Sequence, residues 1–275
     1  MSNSGDREVV LRRSRECYAH RATYYGLVVQ KAGIGKDTKK ELDFVEHVLR
    51  THSTRPVKKI ADIACGGGRH IISLAKRGYE CTGYDLVPER VEVAKAFAKR
   101  MGVSVNLAQR DATKLPRDKH FDAVLALYIL YLLPSDDDVK RCLAGVHRLL
   151  SLGGVLVCNI FNPFTKGSHW VKELVEKGSY VEETRGRGIR IIEIGKARTF
   201  DPVKGELWED ETAIIKAPDG LHIFHDLERV RLLTYWDVKR YLEEAGFKEI
   251  VPYADWKSKP RGKLRAEQIV FVARK

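Results

Sequence analysis

Residues 58–85 read KKIADIACGGGRHIISLAKRGYECTGYD. Ile60 to Ala64 form a short apolar run of the kind that fills a parallel strand buried on both faces, and it breaks at once into Gly66, Gly67 and Gly68. From His70 to Lys76 the spacing becomes helical, with Ile71, Leu74 and Ala75 on one face, and Gly78 stops the helix behind Lys76 and Arg77. A second strand spans Glu80 to Tyr84 and ends on Asp85. Strand, glycine turn, helix, strand and terminal carboxylate make the half-unit that receives a nucleoside at the carboxyl ends of a parallel sheet. The glycines let a ligand approach the backbone, and Asp85 is placed to accept hydrogen bonds from two ribose hydroxyls.

A dinucleotide fingerprint needs glycines at its first, third and sixth positions. Counted from Gly66 the sixth position is Ile71, and counted from Ala64 it is Arg69, so NAD fits badly. The segment DIACGGGRH closely resembles the first motif of the class I S-adenosylmethionine (SAM) methyltransferases, with the leading acid at Asp62. Ala64 stands where that family often has glycine, a change expected to cost little because alanine is small.

Working outward, Lys39 to Leu49 read as a helix before the first strand. After Asp85, Pro88 opens a helix with Val91, Ala94, Phe97 and Ala98 on its buried stripe. Val103 to Leu107 are expected as the third strand and Phe121 to Tyr128 as the fourth. Ser135 caps a helix whose first turn is Asp136, Asp137 and Asp138, and GGVLVCNIF is the fifth strand. Residues 169–177 look helical; then Ile189 to Phe200, Glu206 to Ala217 and Leu221 to Leu233, joined by the turn signals DPVKG and APDG, read as an antiparallel meander. A helix capped by Thr234 and strands around Ile250 to Tyr253 and Ala266 to Ala273 complete the chain.

The expected fold is α/β: a doubly wound, seven-stranded, mostly parallel Rossmann-like sheet with an antiparallel last strand, plus a small antiparallel β insertion. The organisation is a helical cap over 1–55, a SAM-binding core over 56–164, an insertion over 165–233 acting as substrate lid, and the end of the core sheet over 234–275. The layout resembles small archaeal or bacterial members of the methyltransferase family that carry an insertion after the fifth strand.

Composition narrows the class. With 275 residues and 44% hydrophobic content the chain is long and apolar enough for a sizeable core. Ala123 to Leu133 is far short of the ~20 apolar residues of a spanning helix, and the first residues mix acids and bases, so a cytoplasmic location is expected. Cys17, Cys65, Cys81, Cys142 and Cys158 are scattered and form no CxxC pair, which suits reduced thiols and argues against zinc; no metal is expected. The net charge of +12 fits either a lysine- and arginine-rich surface or attraction to RNA, the latter with Lys257, Lys259, Arg261, Lys263 and Arg265 as its cluster.

The resemblance implies cofactor contacts from Ala64, Cys65, Gly66, Gly68, Asp85 and Leu86. It also implies Asp111 with Ala112 as the adenine pair, Ala126 and Tyr128 at the end of the fourth strand, and Tyr25 of the Tyr24–Tyr25 pair on a covering N-terminal helix. Arg21 is a candidate for the cofactor's carboxylate, which a guanidinium matches bidentately. It hands over no catalytic residue; Tyr128, Tyr131, His222 and His225 are the candidates for a proton acceptor. Asn162, Pro163 and Phe164 resemble the Asn-Pro-Pro-Tyr motif of base-amine methylases, but follow the wrong strand and lack the second proline. The implied activity is methyl transfer from SAM to a nitrogen or oxygen of a small molecule, with a tRNA or rRNA methyltransferase and a non-catalytic SAM-binding protein as alternatives.

Overall fold

The computed structural model describes residues 4–31, 36–118, 120–163, 173–174, 176–186, 188–257 and 266–275, without the side chains of 4–6, 21, 25–31, 36 and 37. The chain begins with two helices, α1 (Ser4–Lys31) and α2 (Lys36–His52). The first half of the core is β1 (Lys59–Ile63), α3 (Arg69–Lys76), β2 (Glu80–Asp85), α4 (Pro88–Met101) and β3 (Asn106–Gln109). The second half is β4 (Phe121–Ala126), a 3-10 turn at Leu130–Leu132, α5 (Asp136–Leu149) and β5 (Leu150–Phe161). The insertion contains β6 (Ser179–Gly186), β7 (Ile189–Asp201), β8 (Glu206–Ala217) and β9 (Gly220–Arg231). The chain closes with α6 (Tyr235–Glu244), β10 (Lys248–Ala254) and β11 (Gln268–Arg274).

The seven-stranded sheet has the order β3-β2-β1-β4-β5-β11-β10. β11 runs antiparallel to both neighbours, and the other pairs are parallel, so the expected reversed last strand is present. Alternation along the central strands divides the core between two faces. On one, Ala123 and Leu125 of β4 with Val155 and Val157 of β5 join Leu42, Val45, Ile71, Leu74 and Phe97 from α2, α3 and α4. On the other, Val124, Ala126, Leu156 and Cys158 join Val139, Leu143, Val238 and Tyr241 from α5 and α6. Strand order reverses between β1 and β4, and ligands of open α/β sheets bind outside the carboxyl ends of the strands at such a point.

The third strand is Asn106–Gln109 rather than Val103–Leu107. Val103 and Val105 are apolar because they pack on the α2–α4 side of the core, whereas pairing with β2 starts only at Thr82↔Asn106. The insertion is a four-stranded sheet, β6-β7-β8-β9, one strand more than the meander expected from sequence. Of the helix expected over 169–177, residues 173, 174, 176 and 177 are helical and the rest lie outside the described residues. α1 packs on α4, β9 and β6, so it bridges the core and the insertion, and its apolar residues do not concentrate along one line.

Candidate functional site

The turn after β1 is built from left-handed backbone. Ala64, Gly66 and Gly68 have φ of 60°, 53° and 82°. An L side chain at such an angle is strained, so Ala64 carries a cost of about 1 to 2 kcal/mol, contrary to the small cost expected. The turn is tied to the next strand: Gly66 N–H donates to Asp85 Oδ2 at 2.7 Å, Val87 N–H to Asp85 Oδ1 at 2.9 Å, and Cys65 N–H to the Tyr84 carbonyl at 2.9 Å. Asp85 is thereby buried and oriented, with lone pairs remaining on both oxygens.

Above this turn lies a cavity of about 360 Å³, within the usual range of small-molecule sites. Ala64, Cys65, Gly66, Asp85, Leu86, Asp111, Ala112, Tyr128 and Tyr131, separate in sequence, all line it. Gly68 stands behind it. A Cβ there would lie 2.5 Å from Ile72 Cδ1 and 3.2 Å from Ala94 Cβ, so this glycine serves the packing of α3 on α4. Ala126 is fully buried among the residues facing α5, and Leu127 supplies the wall instead. The side chains of Arg21 and Tyr25 lie outside the described residues; neighbouring Tyr24 hydrogen-bonds His222 and Asp219. His222 and His225 do not line the cavity. Three residues apart on a strand, they leave opposite faces of the insertion sheet: His222 meets Tyr24 of α1, and His225 meets Thr212.

Sequence reading missed the other walls. α1 contributes Leu11, Ser14, Tyr18 and Ala22, and Arg90 comes from α4. The Arg90 guanidinium lies 4.1 Å from the Tyr18 ring, and the Tyr18 hydroxyl donates to Glu228 Oε1 at 2.5 Å, so Tyr18 joins α4 to β9 across the cavity. Arg69 and His70 line it beside Asp62. Asp62 is 2% exposed, and its Oδ2 has no partner among the described residues. Burial pushes its carboxyl up to about 8, with Arg69 opposing the rise and Asp85 adding to it. A buried carboxyl lacking a donor, in a cavity that also presents a guanidinium, fits the ammonium of a zwitterionic ligand.

Glu41 of α2 organises the same end. It accepts from Arg69 at 2.5 Å, from His70 Nε2 at 2.7 Å and from the Tyr128 hydroxyl at 2.6 Å. Burial alone would raise its pKa, but His70 and Arg69 hold it down at about 2, so it is a carboxylate. Tyr128 has φ of 60°, and a ring of hydrogen bonds holds it there. Its N–H donates to Asn159 Oδ1 (2.8 Å), Asn159 Nδ2 to Gln268 Oε1 (2.9 Å), and Gln268 Nε2 to the Tyr128 hydroxyl (3.3 Å). The phenols are held protonated: burial and Glu41 raise Tyr128, burial with Tyr128 and Glu228 raises Tyr131, and burial with Glu228 raises Tyr18.

At the other end, burial would raise Asp111, but Thr113 and Arg7 outweigh it and lower its pKa. Ala112 is buried beside it. The cavity therefore presents three acids, Asp62, Asp85 and Asp111, above a glycine turn.

Comparison with known proteins bears on the domain and the fold. Residues 60–154 match the family model described as a methyltransferase domain. A protein of Geobacillus sp. (strain WCH70) that carries a provisional methyltransferase name is 27% identical over 241 residues, covering 84% of this chain and 90% of that protein. The fold is shared with an S-adenosylmethionine-dependent methyltransferase from Clostridium acetobutylicum ATCC 824, with a TM-score of 0.74 and 19% identity over 94% of this chain and 98% of the other. It is also shared with SAM-bound CalS10, an amino pentose methyltransferase from Micromonospora echinaspora, with a TM-score of 0.64 and 18% identity over 93% and 96%. Residues 60–154 form a methyltransferase domain, and the chain has the fold of S-adenosylmethionine-dependent methyltransferases, enzymes that use SAM as their methyl donor.

Proposed function

We propose that this enzyme methylates a nitrogen of a small molecule. The cofactor supplies an activated methyl group on a sulfonium, so the protein's task is to bind, align and exclude water. In this reading Asp85 takes the ribose hydroxyls, Asp111 the adenine amine beside Ala112, and Asp62 the ammonium of the methionine tail, with Arg69 close by for its carboxylate. The backbone of Ala64, Cys65 and Gly66 forms the floor. Tyr128 and Tyr131 supply an aromatic wall, and Phe161 packs against Tyr131 with ring centroids 4.8 Å apart. Such a wall suits a cationic centre.

The observation that carries the choice of nitrogen is the protonation of the cavity. The phenols of Tyr18, Tyr128 and Tyr131 are all pushed up, away from serving as bases. Burial lowers the pKa of His70, and its Nε2 is committed to Glu41. A hydroxyl acceptor needs a base as the new bond forms, whereas a neutral amine brings its own lone pair. The fold shared with an enzyme described as an amino pentose methyltransferase is compatible with this reading.

The test is incubation of the purified enzyme with methyl-labelled SAM and separated small-molecule, RNA and protein fractions of an extract. Label in an N-methylated small molecule is expected. Label in tRNA or rRNA would replace this reading with the nucleic-acid one, and an O-methyl product would remove the nitrogen assignment.

A further inference from the structure

Arg7 sits near the start of α1, and its guanidinium spans two acids more than a hundred residues away. Nε donates to Asp138 Oδ1 at 2.8 Å, while Nη2 donates to Asp111 Oδ2 at 3.3 Å and to Thr113 Oγ1 at 3.1 Å. The Asp138 end is fixed. That side chain is fully buried, accepts from the Ser135 hydroxyl at 2.7 Å and from Arg141 at 2.8 Å, and lies in the first turn of α5.

The Asp111 end is nearly saturated. Oδ1 accepts from the Thr113 N–H and hydroxyl, each at 2.8 Å, and Oδ2 accepts from Arg7. A carboxylate offers about four lone-pair positions, so with three filled one remains, on Oδ2. Arg7 also lies three to four residues apart, in steps, from Leu11, Ser14, Tyr18 and Ala22, the face of α1 that walls the cavity.

We propose that Arg7 is a positioning residue for the cofactor: it fixes the Asp111 carboxylate so that one acceptor position faces the adenine amine, and it makes adenine recognition depend on α1 being docked. This rests on the reading of Asp111 as the adenine partner. Removing Arg7 frees Oδ2 to bond water, which weakens selection for the amine.

The experiment is calorimetric binding of S-adenosylhomocysteine and of its hypoxanthine analogue, which has a carbonyl in place of the amine, to the wild type, Arg7→Met, Arg7→Lys, Asp111→Asn and the Arg7→Met/Asp111→Asn double variant. Circular dichroism confirms that each is folded. Arg7→Met is expected to weaken S-adenosylhomocysteine about tenfold, to reduce the preference for adenine over hypoxanthine to within about threefold, and to be partly rescued by lysine. In the Asp111→Asn background the same substitution should change affinity by less than about twofold, because the group it positions is gone. Equal weakening toward both ligands, with the same loss in the Asp111→Asn background, would overturn the proposal and leave Arg7 a brace for α1. A wild type that does not prefer adenine, together with unaltered binding by Asp111→Asn, would instead overturn the reading of Asp111 on which the proposal stands.

Discussion

Binding of the cofactor should release a proton from Asp62. In the free protein burial holds this carboxyl at about 8, so at pH 7 it is about nine-tenths protonated. An ammonium hydrogen-bonded to Oδ2 favours the ionised form and returns the pKa toward the ordinary carboxylate range. Binding at pH 7 then releases about 0.9 proton, and the dissociation constant falls about tenfold for each pH unit between about 5.5 and 7.5. Replacing the carboxyl by an amide, Asp62→Asn, removes both the proton and the charge-assisted bond, at a cost of about 2 to 3 kcal/mol, or roughly a hundredfold in Kd near pH 8. The same group has the opposite effect on the unliganded fold. An acid whose folded pKa is raised is protonated when folded but ionised when unfolded, from about pH 4 to about pH 8. Apo stability should therefore decline through that interval by at most about 1.4 kcal/mol per pH unit, and Asp62→Asn should lack this slope. The assay is calorimetry of S-adenosylhomocysteine in buffers of different ionisation enthalpy, paired with urea titrations across pH. A Kd independent of pH from 5.5 to 7.5, or equal proton release by Asp62→Asn, would refute the reasoning.

The remaining expectations concern the backbone that shapes the cavity. Ala64→Gly should raise stability by about 0.5 to 1 kcal/mol, since φ of 60° strains alanine more than glycine's extra freedom costs; urea unfolding measures it, and a destabilised variant contradicts the assignment of strain. Gly68→Ala should lower stability by about 2 kcal/mol, because its Cβ would press on Ile72 and Ala94 at an unfavourable φ, and unchanged stability would sink that account. Asn159→Ala removes the acceptor that holds the Tyr128 N–H. It should lower kcat several-fold with a smaller change in the affinity for S-adenosylhomocysteine, whereas a variant with wild-type kcat would show that Tyr128 needs no such support.

The half-unit of β1, α3 and β2 was readable because its signals are local: a buried strand, a glycine turn and an acid lie within residues 58–85. β6 was not readable. Of its eight residues only Tyr180 is buried, so it shows no alternation, and pairing with β7 from Ser179↔Lys196 to Gly186↔Ile189 is what defines it. The site divides in the same way. Asp85 and Asp111 announce themselves at strand ends, but Glu41 meets Tyr128 across 87 residues and Arg7 meets Asp138 across 131, and no spacing rule reaches that far. The proton-acceptor candidates His222 and His225 stand three residues apart, a spacing that unites side chains on a helix and separates them on a strand. Arg69 and His70 stood next to the glycines, yet their role depends on Glu41 arriving from α2. Among the described residues no helix is long and apolar enough to cross a membrane. Of the basic cluster considered for RNA, Lys257 pairs with Asp255, and Lys259, Arg261, Lys263 and Arg265 lie outside the described residues.

The most direct measurement is a crystal structure of the protein with S-adenosylhomocysteine. The account predicts the nucleoside in the cavity above Gly66, with both ribose hydroxyls on Asp85, the adenine amine on Asp111 and the ammonium on Asp62. A nucleoside bound elsewhere, or in this cavity with its ribose turned away from Asp85, would contradict it.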